Sequence, residues 1–121
     1  MSDLETKYLL ASTMADSAYD ALLIVDEERN ILATNRSAEK ILGGDAEGQK
    51  IGEITNVPEL AMMVTDALIN TEGVFEEQIL IGDENYRVRV RLFAHKGGRI
   101  IALVLRDITQ LVRLNRARRD M

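Results

Sequence analysis

The tripeptide Asp107-Ile108-Thr109 constrains this chain more than any other feature, because of what stands on either side of it. Before it, Arg99–Arg106 (RIIALVLR) is apolar and rich in β-branched residues, the composition of a strand. After it, Gln110–Met121 (QLVRLNRARRDM) sets apolar residues at helical spacing without a breaker. A strand that runs through an Asp-x-Thr cap straight into a helix makes an output connection. It can carry a change in a sheet into a rod that leaves the domain.

A chain of 121 residues has room for one domain with a single modest core. Its hydrophobic content of 46% and charged content of 29% are those of a soluble globular protein. No apolar run reaches the ~18 residues that a membrane helix needs, and no signal-peptide pattern opens the chain. Cysteine is absent, which excludes disulfides, thiolate catalysis and cysteine-held metals and fits a cytoplasmic protein. A membrane anchor upstream in a longer protein stays open.

The net charge of −5 argues against general nucleic-acid binding, which needs a basic face. Arg113, Arg116, Arg118 and Arg119 nonetheless crowd the tail beside one acid, Asp120. A solvated helix face, with cations favoured by the C-terminal dipole, is the plain reading of that cluster. Membrane or nucleic-acid contact is the alternative.

Along the chain, Asp3–Tyr19 reads as a helix free of Gly and Pro. Leu4, Tyr8, Ala11, Ala15, Ala18 and Leu22 follow the spacing of a short, alanine-rich coiled-coil seam. Ala21–Val25 and Ile31–Thr34 make a hairpin, with Asn30 suited to a left-handed turn position. Asn35 is expected to cap a short helix, Arg36–Leu42, stopped by Gly43-Gly44. An irregular connection, Asp45–Ile54, leads to a longer helix over Val57–Asn70, with Asn56 as cap and Pro58 in its first turn.

Three strands follow: Val74–Ile81, Tyr86–Ala94 and Arg99–Arg106. Gly82-Asp83-Glu84-Asn85 is expected as a four-residue loop between the first two. The strand Tyr86–Phe93 alternates, with Arg87, Arg89 and Arg91 on one face. Ala21–Val25 and Ile100–Leu105 do not alternate, so both faces of the sheet are covered near them. Two short helices can cover one face. The other needs the N-terminal helix or a second subunit.

This ordered set resembles the PAS domain across residues 16–109. Ala21–Asn35 (ALLIVDEERNILATN) is similar to the family's first hairpin and the asparagine that opens its short helix. Ala38-Glu39, Leu42-Gly43 and the segment Gly48–Ile54 follow as in the family, and Asp107-Ile108-Thr109 stands where its last strand ends. The resemblance implies an α+β PAS fold: a five-stranded antiparallel sheet of order 2-1-5-4-3 with short helices on one face. It also implies three parts: an amphipathic helix over 1–19, the PAS domain over 20–109, and the start of a C-terminal signalling helix over 110–121.

Leu111-x-x-Leu114-x-x-x-Arg118-Arg119-Asp120-Met121 further resembles the linker joining PAS domains to the dimerisation and phosphoacceptor helices of sensor histidine kinases. The function implied is a sensory and dimerisation module in two-component signal transduction, itself not a catalyst. Its partners would be a second copy of the chain and a kinase domain downstream in the same polypeptide. A PAS domain serving a cyclase or a transcription regulator, or a stand-alone carrier of a small ligand, is the alternative.

Cofactor chemistry finds little support in these residues. The family's flavin photosensors need a cysteine, and haem needs an axial ligand. His95 is the sole histidine and lies at a hairpin end, where it reads as a turn residue. Met62 and Met63 read as helix-packing residues, with ligation or cavity lining as the alternative. Any ligand cavity would lie between the sheet and the long helix, lined by Leu60, Val64, Leu68, Ile24 and Leu103; a packed core uses the same residues.

The arginine stripe has two readings, a carboxylate or phosphate site and cross-strand pairs with Glu76, Glu77 or Gln78. Asp107, Ile108 and Thr109 are the candidate relay. Asp107 is expected to accept from the first helix amides or to pair with Arg29 or Arg106.

Overall fold

The computed structural model describes residues 20–69, 74–95 and 98–119. The strands are β1 (Ala21–Asp26), β2 (Ile31–Thr34), β3 (Val74–Ile81), β4 (Glu84–His95) and β5 (Gly98–Asp107). They form one antiparallel sheet in the order β2-β1-β5-β4-β3. Helices α1 (Arg36–Leu42) and α2 (Pro58–Ile69) lie between β2 and β3 in sequence, and α3 (Thr109–Arg119) follows β5. The helix expected over Asp3–Tyr19, with its seam Leu4, Tyr8, Ala11, Ala15 and Ala18, lies outside the described residues.

The continuous apolarity of β1 and β5 has a direct structural cause. Ala21, Leu23 and Val25 of β1 and Ile101, Leu103 and Leu105 of β5 face one side, where Leu60, Met63, Val64 and Ala67 of α2 and Ala38 and Leu42 of α1 pack on them. The intervening residues Leu22, Ile24, Ile100, Ala102 and Val104 form a second cluster on the opposite face, each at most 2% exposed. Ile24 therefore does not line any space beneath α2. Leu60, Val64, Leu68 and Leu103 do share that inner core.

Local chemistry sets the element ends. Asn35 caps α1 as expected, its Oδ1 accepting from the Ala38 amide at 3.0 Å, and it does more. The same oxygen accepts from the Leu22 amide at 3.0 Å, while Nδ2 donates to the Asp20 carbonyl at 2.8 Å. One side chain thus ties the start of α1 to the entry of β1. Gly43 ends α1 in the left-handed conformation, at φ 88°.

Other turns differ from expectation. Arg29, not Asn30, takes the left-handed position of the first hairpin, at φ 74°. Asp26 grips both the amide and the side chain of Asn30, at 2.8 and 3.1 Å, which moves the reversal one residue earlier. Helix α2 begins at Pro58, and Asn56 donates its side-chain amide to the Ile41 carbonyl at 2.9 Å, bracing the end of α1. Between β3 and β4 the loop is Gly82-Asp83 alone, because Ile81 pairs with Glu84. Gly82 at φ 60° supplies the positive first position that such a two-residue turn requires.

Candidate functional site: the junction of β5 and α3

Shortening that loop places Asn85 inside the ladder. Tyr86 pairs with Asp107, so the next rung brings Asn85 against Ile108, just past the end of β5. The Ile108 amide donates to the Asn85 carbonyl at 2.8 Å, and the Asn85 amide donates to Thr109 Oγ1 at 2.9 Å. Both main-chain groups of one hairpin residue thereby hold the first residues of the exit helix. Ile108 and Thr109 are 5% and 7% exposed, so these bonds are sheltered from water.

Asp107 closes the junction from the strand side. Its Oδ1 accepts from the Thr109 amide at 2.9 Å, an Asx turn that satisfies one of the otherwise open donors at the start of α3. The Val112 amide donates to the Ile108 carbonyl at 3.0 Å and begins the regular helix. Hydrogen bonding from Thr109, opposed by partial burial and aided by Arg113, holds the Asp107 carboxyl below the usual carboxylate range.

Arg29, the expected alternative partner of Asp107, sits at the far end of the sheet and donates to Thr65 Oγ1 of α2 at 2.8 Å. Beside the junction, the Tyr86 hydroxyl donates to Glu84 Oε2 at 3.0 Å. Burial first, then that bond and the negative charge of Glu84 and Asp107, push the Tyr86 hydroxyl up to about 12.

The three arginines of β4 separate in the structure. Arg89 lies opposite Glu76 and pairs with it at 2.6 Å, the cross-strand contact that the sequence allowed. The Arg91 guanidinium lies 4.8 Å from the centroid of the Phe93 ring. Arg87 borders a cleft of about 450 Å³ at the junction, together with Glu84, Arg106, Asp107, Thr109 and Arg113. Met63 is buried in the inner core and Met62 faces solvent. His95 is the last residue of β4 and pairs with Gly98 of β5.

Sequence reasoning singled out Asp107, Ile108 and Thr109, and the structure joins them, but it missed Asn85 as their anchor. The signal was present in Gly82-Asp83, a glycine-first pair that suits a two-residue turn and moves every later register position.

Comparison with known proteins places this arrangement. No curated protein matches the sequence significantly. The PAS domain of BvgS from Bordetella pertussis superposes with a TM-score of 0.65 at 19% identity, covering 97% of this chain and 94% of that one. A sensory box sensor histidine kinase from Vibrio cholerae gives 0.63 at 20% identity, covering 88% and 94%. The histidine kinase ThkA, in complex with the response regulator TrrA, gives 0.74 at 18% identity over 88% of this chain and 34% of that chain. At such identities the likeness is one of fold. Residues 10–74, more than half of the sequence, match the PAS domain family itself, and with the sheet order and the junction described above the chain belongs to that family.

Proposed function

We propose that the chain is the sensory and dimerisation PAS module of a sensor histidine kinase, acting in the cytoplasm in two-component signal transduction. Its parts are a coupling segment over 1–19, the PAS domain over 20–109 and a signalling helix that starts at 110. The observation that carries this reading is the double main-chain grip of Asn85 on Ile108 and Thr109. A shift of the β3–β4 hairpin, or of β5 beside it, has to move the first turn of α3. A population change between two helix placements needs only a few kcal/mol to alter an attached enzyme.

The dimerisation half of the proposal rests on the sequence that precedes β1. Leu22, Ile24, Ile100, Ala102 and Val104 are buried, while α1 and α2 pack on the other side. Residues 1–19 precede β1 in the sequence and carry the seam Leu4, Tyr8, Ala11, Ala15 and Ala18. That seam is the proposed contact with a second copy of the chain. The kinase domain would follow α3 in the same polypeptide.

Light scattering on the 121-residue chain and on a form lacking residues 1–19 tests this function. The proposal expects a dimer that dissociates on truncation. A monomer in both forms would refute the dimer relay, and a dimer that survives truncation would refute the seam.

A further inference from the structure

β3 is the outermost strand of the sheet, and its register on β4 decides what its free edge offers. The Asn85 amide and carbonyl both face β5, so the main chains of Glu84, Tyr86 and Val88 face β3 instead. Their ladder partners Ile81, Ile79 and Glu77 return those bonds. The amides and carbonyls of Glu76, Gln78 and Leu80 therefore point away from the sheet, and among the described residues no strand receives them. All three side chains are exposed, Leu80 at 60%. Edges of this kind are ordinarily blunted by proline, a bulge, brevity or charge. β3 runs eight residues with no proline and no shift of register.

The strand is its own best match. In an antiparallel pair, outward residues have to meet outward residues, and a two-fold axis through Gln78 achieves this for all three. Gln78 then faces its own copy and Glu76 faces Leu80, which gives about six main-chain bonds. Glu77 stands against Ile79 rather than against another acid. An axis through Glu77 sets two glutamates face to face, and one through Ile79 carries Glu76 past the strand to the Gly82 turn. Charge favours the same register. Arg87 and Arg116 border the cleft beside Gln78, where the second copy brings its Glu76.

We propose that β3 of two copies pairs edge to edge about Gln78, joining their sheets into one continuous antiparallel sheet. The axis keeps each sheet face on its own side, so both exit helices border the junction from the same face. So short an edge buries less than a standard interface, and the pairing is a weak one, formed at high concentration. It does not involve residues 1–19, so it goes beyond the seam reading and does not depend on it.

Sedimentation equilibrium of the 121-residue chain from micromolar to millimolar concentration tests it, beside Gln78→Pro. Whatever species is present at dilution, monomer or seam dimer, its mass should rise with concentration. Proline at 78 removes only an amide that points to solvent, so the ladder with β4 survives, and the rise should need about tenfold more protein. The chain holds no cysteine, so a short bis-maleimide should join copies of Gln78→Cys to each other. It should spare Glu47→Cys, an exposed position beside β2 at the other edge of the sheet. A mass that does not rise, a rise unchanged by Gln78→Pro, or equal cross-linking at 47 and 78 would overturn the pairing and leave the seam reading untouched.

Discussion

Asn85 and Thr109 are joined across 24 positions of sequence by a 2.9 Å hydrogen bond from the Asn85 amide to Thr109 Oγ1. A strand residue thus supplies a donor to the residue that opens the exit helix, and the Ile108 amide returns a bond to the same residue's carbonyl. Because the contact uses the main chain of Asn85, it fixes position rather than mere proximity. On the proposed relay, the hairpin and the helix move as one body unless these bonds break.

Replacing Thr109 by Val removes the acceptor while keeping the shape of the side chain. The Asn85 amide is then left part-buried without its partner, at a cost of about 1–2 kcal/mol. Thr109→Ser keeps the oxygen and should lose little. Urea unfolding of the three proteins checks the order.

Asp107 gives the junction a dependence on acid. Its folded carboxyl lies below the ordinary range, so the ionised form is the one that folding favours. The resulting stability is present above the unfolded value, about 4, and is lost as pH falls through the lower folded value. The stability gap between the parent and Asp107→Ala should stay constant near neutrality and narrow below pH ~4. A gap unchanged in acid would contradict the assignment.

Tyr86 titrates in the opposite sense. With its hydroxyl pushed up to about 12, folding favours the protonated phenol, and that contribution fades as pH rises from about 10 toward the folded value. Ultraviolet titration should show a phenol that ionises above the ordinary range, and Tyr86→Phe should remove that step. Glu84→Gln removes the negative charge but not the burial, so it should bring the value only part of the way down.

Ile24 and Leu103 are both fully buried, on opposite faces of the sheet. Truncation of either to Ala should cost about 2–5 kcal/mol in the whole chain. In a chain lacking residues 1–19, Leu103→Ala should keep its cost, whereas that of Ile24→Ala should shrink. Equal costs in both forms would show that residues 1–19 do not cover the outer face.

Much of the fold was legible because it rests on patterns that side chains carry. The two-sided apolarity of Ala21–Val25 and Ile100–Leu105 marks central strands, and Asn35 marks the start of α1. For the same reason the side occupied by Ile24 was not legible: where both faces are apolar, composition does not distinguish them. Arg29 was missed because Asp26 sets the turn by binding Asn30, a choice no propensity of Arg reveals. Asn85 was hidden more deeply. Its amide and carbonyl do the holding, and any residue but proline has both.

The central claim, that the β3–β4 hairpin and the exit helix form one mechanical unit, is tested most directly by amide hydrogen exchange in Thr109→Val. Ile81 and Asn85 report the hairpin, and Val112 reports the first turn of α3. The account predicts that protection falls at both ends together, by about tenfold, the ratio that ~1.4 kcal/mol sets. A helix that loses protection while the hairpin keeps its own would contradict it.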